Sequence, residues 1–282
     1  MQQSLLFTWL GVAGVEIEFE RRRLMIDPFI TRFSLIHILS KIEPDRKLIA
    51  HQLKAPEAIL VTHSHWDHLF DVAELARSSG CQVFGSATTC RLLTLQGIDK
   101  NQLNEISAGD SFSMAGMVIQ SLAGSHIKTP LDHWLNKPLA PGLRPPLRPI
   151  DFHRGSVLAF RIQAGDLSLL HGKADTKADV LVQAPYLWQG SSFCHDLARV
   201  NPRLLIPIHW DDFMRPLTQP LKPMFEPVHP PFPWIYRVSL EKLAQKAKTC
   251  IPGLQVYIPE LFTPYLIDST YSQRSITEGL LT

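Results

Sequence analysis

Positions 63–68 constrain this chain more than any other stretch: His63, His65, Asp67 and His68 put three histidines and a carboxylate within six residues. The apolar, β-branched run Ala58-Ile59-Leu60-Val61 lies just upstream and has the length of a buried strand. Downstream, Leu69, Val72, Ala73 and Ala76 recur at helical spacing as far as Gly80. The cluster therefore falls where a buried strand turns into a helix, which is where open α/β sheets place their ligands. His63 and His65 are two apart, so in extended chain both rings can point to one side. Asp67 and His68 follow as the chain turns and aim at a neighbouring point. Imidazole and carboxylate suit zinc, iron or manganese, and the two-and-two split of these ligands predicts two ions rather than one. The competing reading is a polar loop that is rich in histidine by chance.

The cluster has the form H-x-H-x-D-H and resembles the metallo-β-lactamase-fold superfamily. That resemblance implies a single domain over residues 1–282 with an α/β (α+β), four-layer αββα sandwich fold and a metal centre at one edge between its sheets. It also implies three further ligands downstream, a histidine, an aspartate and a last histidine, each at a strand end. Trp9-Leu10-Gly11, a strand pair and then Ile26-Asp27-Pro28 resemble the opening of the lactonase-like branch, near the ascorbate-phosphate lactonase-like and N-acylphosphatidylethanolamine phospholipase D-like hydrolases. Asp27 would then lie beside the metals; as a bare sequence feature it is equally a turn aspartate before proline.

Whole-chain quantities narrow the class. A chain of 282 residues can bury a large core. Its net charge of +2 gives no basic footprint for nucleic acid and no pull towards an acidic membrane. The four cysteines, Cys81, Cys90, Cys194 and Cys250, have no close-pair spacing and are expected as reduced thiols. Residues 1–15 are apolar but have no basic leader and are cut by Gly11 and Gly14, so they are expected to form a first strand rather than a signal peptide. No apolar run reaches the length of a membrane span, and the expected location is cytoplasmic.

Short strands are predicted at 5–10, 15–19 and 24–26, a short helix at 33–42, and a helix beginning at the N-cap Ser86 and running to Gly97. A hairpin follows at 112–114 and 117–122, and its second strand leads into Gly124-Ser125-His126, which supplies the expected third histidine. Residues 127–155 are rich in proline and cannot form a regular helix or central strand. They are expected as a flap over the site. Arg144, Arg148 and Arg154 either face an anionic substrate group or are simply solvated. His133 and His153 either compete with His126 as ligand or donate a proton to the leaving group.

A second hairpin, at 157–163 and 167–171, leads into Gly172-Lys173-Ala174-Asp175. Many members of the superfamily have Gly-Asp here, and the Gly-x-Ala-Asp form of this chain resembles a variant of the lactonase-like branch. Asp175 is taken as the bridging carboxylate, with His171 or Asp179 as alternatives. Tyr186 and Trp188, after a strand at 179–184, are candidates for the pocket wall or for packing, and Trp66 is a third candidate for substrate contact. A buried-type strand at 203–208 ends in His209, the expected last ligand; Asp211 and Asp212 either orient it or cap the next turn. A second proline-rich stretch, 215–234, is expected to wrap the site or to form a contact between copies of the chain. A capped helix at 239–249, a strand at 254–258 and a loose tail after Asp268 complete the reading.

The resemblance implies that His63, His65 and His126 hold one divalent ion, that Asp67, His68 and His209 hold a second, and that Asp175 bridges them. Zinc is the first choice, with manganese or iron as the others. The implied reaction is hydrolysis of an ester, lactone, amide or phosphodiester by a metal-bridging hydroxide, with Asp67 orienting the nucleophile. Two rivals remain: a di-iron oxidoreductase on the same scaffold, and a metal-binding or interaction protein without activity. Iron-using relatives carry a glutamate in the first cluster, where this chain has His65. Iron content tests the first rival and a generic substrate screen the second.

Overall fold

Alternation of side chains sets the first strands. Leu5, Phe7 and Trp9 are buried on one face, and Val15, Ile17, Leu24 and Ile26 join them. The computed structural model describes residues 4–126, 135–185, 192–225, 237–268 and 273–275. In it, β1 (Ser4–Gly11), β2 (Gly14–Phe19) and β3 (Arg22–Ile26) form an antiparallel meander. The chain then crosses through helix α1 (Arg46–Gln52) to β4 (Ala58–Leu60), which pairs parallel with β3. Helices α2 (Trp66–Leu69) and α3 (Val72–Ser79) lead to β5 (Gln82–Gly85), and α4 (Ala87–Leu95) leads to β6 (Leu103–Glu105). Gly80 closes α3 in the left-handed region, and the Ser86 hydroxyl accepts from the Thr89 amide at the start of α4.

The second sheet is built from β7 (Ser111–Met114), β8 (Met117–Ala123), β9 (Leu158–Ala164), β10 (Leu167–His171), β11 (Val180–Gln183), β12 (Leu204–Pro207) and β13 (Gln255–Val256). Helix α5 (Phe193–Val200) precedes β12, and α6 (Leu240–Cys250) precedes β13. The chain closes by returning to the first sheet through β14 (Pro264–Asp268) and β15 (Gln273–Ser275). The strand orders are β15-β14-β1-β2-β3-β4-β5-β6 and β13-β12-β11-β10-β9-β8-β7.

Burial defines the layers. Phe7, Ile17 and Leu60 of the first sheet meet Ile119, Phe160 and Ile206 of the second in one inner core. Outside the first sheet, Ile59 and Val83 pack with Leu75, Leu92 and Leu93 of the helices. Outside the second, Leu181 and Leu205 pack with Phe193, Leu197 and Leu243. Two mixed sheets packed face to face with helices on both outer sides are the expected αββα sandwich.

Three sequence expectations are corrected. The helix expected at 33–42 is only a 3-10 turn at Leu35–His37, with Ile36 and Leu39 exposed. The true helix, α1, buries only Ile49 and is announced by its N-cap, Asp45, rather than by an apolar stripe. In place of a wholly loose tail, β15 pairs with β14. Cys194 and Cys250, expected as thiols, form a disulfide between α5 and α6 with 56 residues of separation. Only the packing of those two helices brings the sulfurs together, and sequence spacing carries no trace of it.

Candidate metal centre

The site forms where strands of both sheets run out at one edge. From the first sheet, β4 ends and the backbone from Thr62 to His65 carries four polar side chains before α2 begins. From the second sheet, His126 follows β8 and His209 follows β12. Two backbone hydrogen bonds lock these edges together: the Leu158 amide donates to the Thr62 carbonyl at 2.8 Å, and the His209 amide to the Val12 carbonyl at 2.7 Å. His209 has φ of 57°, a left-handed conformation unusual for a histidine.

The side chains converge in two groups. One potential ligand atom from each of His63, His65 and His126 lies within 4.8 Å of the others, and the same holds for Asp67, His68 and His209. His63 and His65 touch through Nε2 and Nδ1 at 3.1 Å, and the His126 ring lies 4.9 Å from that of His63. Asp67 Oδ2 accepts from His209 Nε2 at 3.2 Å and lies 3.6 Å from His68 Nε2. Except for half-buried His126, all six residues are buried.

Asp27 orients the groups from behind. Its Oδ2 accepts from His68 Nδ1 at 2.7 Å and from the Thr62 hydroxyl at 2.5 Å, and its Oδ1 accepts from the Thr62 amide at 2.8 Å. The Thr62 hydroxyl, donating to Asp27, accepts from His63 Nδ1 at 3.1 Å. These bonds put protons on the Nδ1 atoms and leave the Nε2 atoms of His63 and His68 as acceptors for a cation. Of the two roles open to Asp27, the structure gives it the one beside the site. Asp211, likewise, accepts from the Val12 amide at 3.1 Å and is ion-paired with buried Arg32, which ties the β1–β2 turn to the His209 loop. Arg32 had no signal in the sequence, because 179 residues separate it from its partner.

Protonation follows from burial. Burial pushes the His63 imidazolium far below its usual range, and the neighbouring His68 and His65 add to this. Burial also pushes His65 down, to about 3, with Asp67 opposing and His126, His68 and Arg154 assisting. His68 is moved the other way: burial lowers it, but Asp27 and Asp67 together outweigh burial and raise it. Burial alone would raise the Asp67 carboxyl, yet His68 and His209 hold it well below the usual carboxylate range. An ionised carboxylate and neutral His63 and His65 are the forms that bind metal. His65 Nε2 is buried with no hydrogen-bond partner, an orphan that a cation would satisfy. The donor set therefore fits divalent metal.

Both groups line one cavity of about 230 Å³, walled by Trp66, Leu135, Val157, Leu158, Val182 and Phe213 among others. The Trp66 indole N–H is buried with no hydrogen-bond partner. Other candidates lie elsewhere. Asp175 is exposed and ion-paired with Arg199 of α5, and it is not among the ligand groups. The residues that the end of β10 brings to the cavity are His171, Gly172 and Lys173. His171 donates from Nε2 to the Ala13 carbonyl at 3.0 Å, and Asp179 is turned back onto Ser168. Arg144 is exposed, and Arg148 is exposed and tied to Asp151 at 2.8 Å. Neither these two nor half-buried Arg154 lines the cavity. His153 Nδ1 donates to the Lys137 carbonyl at 2.6 Å, away from the cavity. His133, Tyr186 and Trp188 lie outside the described residues.

A family profile described as "Beta-lactamase superfamily domain" matches residues 22–210. A "UPF0173 metal-dependent hydrolase" of Pyrobaculum arsenaticum is 25% identical over 208 residues, covering 73% of this chain and 84% of that protein. Another of that description, from Cereibacter sphaeroides, is 25% identical over 274 residues, covering 91% and 97%. Among solved structures, Igni18, a metallo hydrolase from Ignicoccus hospitalis, superposes with a TM-score of 0.59 at 15% identity, covering 93% of this chain and 98% of that one. Among the described residues, no helix is long and apolar enough to cross a membrane.

Proposed function

The chain belongs to the beta-lactamase superfamily domain family, and on that premise we propose that it is a metal-dependent hydrolase acting on a small ester, lactone, amide or phosphodiester. The observation that carries this reading is the pair of three-ligand groups lining one cavity. Five imidazoles and one carboxylate suit zinc best, with one ion on each group. Bound there, divalent ions would lower the pKa of water towards neutrality and polarise the scissile bond.

The remaining roles fall to the chain itself. Asp67, kept ionised by His68 and His209, accepts a hydrogen bond from the attacking water at Oδ2 and so orients it. Asp27 fixes the tautomer and ring plane of His68 directly, and those of His63 through Thr62. Trp66 lines the cavity and adds its indole ring to the wall a substrate would meet. Val157, Leu158, Val182 and Phe213 give the cavity an apolar wall and favour a substrate that is apolar next to its scissile bond. With Arg144 and Arg148 outside the cavity, anionic recognition is not part of this reading. The Cys194–Cys250 bridge weighs against a reducing, cytoplasmic location.

A panel of aryl esters, lactones, amides and phosphodiesters, assayed with metal-loaded and chelator-stripped protein, tests the proposal. At least one class should be turned over by the loaded protein only, and His65→Ala should fall to background while its circular dichroism is unchanged. Full activity of His65→Ala in metal-free buffer would refute the assignment.

A further inference from the structure

The cavity that holds the two ligand groups continues into a second one. Ser125, Gly172, Lys173 and Gln183 line both, so the two spaces meet where β8, β10 and β11 run out. The second cavity, of about 270 Å³, lies between that edge and α5. Leu181, Phe193 and Leu197 give it an apolar floor. Among the described residues its charged side chains form two ion pairs: Lys173 bonds Asp196 at 2.7 Å, and Arg199 is paired with Asp175. The lining therefore carries both signs and no net charge.

Gln183 breaks the pattern of its strand. The rest of β11 is Val180-Leu181-Val182, and all four residues are buried. Gln183 itself is only 5% exposed. Among the described residues no protein group hydrogen-bonds its carboxamide, which has an acceptor oxygen and two donor hydrogens. A buried amide is satisfied by whatever enters the space beside it, and for Gln183 that space is the border of the two cavities.

We propose that the second cavity is the subsite for the part of the substrate beyond the scissile bond, and that it takes an uncharged hydrogen-bonding group such as a carboxamide. Gln183 selects this group by donating to its oxygen and accepting from its N–H. A carboxylate placed there would meet Asp175 and Asp196 as well as Lys173 and Arg199, and an ammonium the reverse, so neither sign is favoured. The proposal rests on the hydrolase reading above and adds to it the chemistry of the distal group.

The test reads binding rather than turnover. Phenylalkyl carboxamides of increasing chain length are titrated by calorimetry into zinc-loaded native protein and Gln183→Leu, beside the carboxylates and amines of the same lengths. Any direct contact with zinc is common to both proteins and cancels in their ratio. Once the chain is long enough to leave the first cavity, the carboxamide should bind the native protein about 10-fold more tightly than Gln183→Leu. The shortest members, which stay beside Val157 and Phe213, should bind both proteins equally. At the longer lengths the native protein should also prefer the carboxamide to the carboxylate and the amine. Crystals soaked with the longest carboxamide give a reading that needs no variant, with the amide expected against Gln183. Loss of the chain-length dependence, a preference for either charged probe, density confined to the first cavity, or no binding of any probe would each overturn the subsite. Carboxamide binding at Gln183 with no ester, lactone, amide or phosphodiester turned over would sink the hydrolase reading instead.

Discussion

Asp67 and Asp71 are both buried, and their neighbours drive them in opposite directions. Asp67 is surrounded by imidazoles and stays ionised. Burial pushes the Asp71 carboxyl up to about 6, only partly opposed by hydrogen bonds from Thr31 and the Ile30 amide. One Asp71 oxygen accepts from the Ile30 and Thr31 amides at 2.6 and 2.7 Å, and the other is buried without a partner, a place for a proton. Because the folded pKa lies above the ordinary value of 3.8, the native state holds this proton longer than the unfolded chain does. Stability from Asp71 is therefore present at low pH and is lost as pH rises from 3.8 to about 6. Two units correspond to about 3 kcal/mol. Urea unfolding of the wild type and Asp71→Asn at pH 4 and pH 7 should show the wild type losing roughly that much relative to the variant. A difference that does not change with pH contradicts the assignment.

At the scale of elements, the placement of His209 depends on segments far apart in the chain. The turn between β1 and β2 gives its Val12 carbonyl to the His209 amide and its Val12 amide to Asp211. Gly11 has φ of 95°, and a β-carbon there would run into the Arg32 guanidinium. The turn, Arg32 and the His209 loop thus form one clamp. Arg32→Ala would leave the Asp211 charge buried and without its cation, which costs about 3–5 kcal/mol in comparable pairs. Denaturant unfolding should show that loss, with weaker zinc binding from a loosened His209. A change of stability below about 1 kcal/mol would mean the pair is not part of the frame. The elements themselves were legible where the apolar pattern was strong: β1 to β3, β9 and α6 alternate or repeat along a buried face, β10 is an unbroken buried run, and all lie within a few residues of expectation. Helix α1 and strand β14 were missed, because α1 buries a single residue and β14 exists as a strand only by pairing with β1.

Across the whole molecule, the site is an edge shared by two sheets, and this explains what the sequence could and could not reveal. His63, His65, Asp67 and His68 are local, six residues running from one loop into α2, and their convergence was readable directly. His126 and His209 were readable only through strand ends, and the sandwich brings those ends to the same place. Asp175 was assigned by order along the chain, but order does not say which way a side chain leaves a loop, and Arg199 draws it outward. The charge of the flap was legible and its direction was not. Leu147 and Phe152 bury into the outer core and leave Arg144 and Arg148 at the surface. The central claim is that the two side-chain groups form a metal centre, and anomalous X-ray scattering at the zinc edge tests it most directly. Crystals grown with zinc should give a peak enclosed by Asp67, His68 and His209 and a second at His63, His65 and His126. Zinc bound elsewhere on the chain, with neither group occupied, would contradict the account.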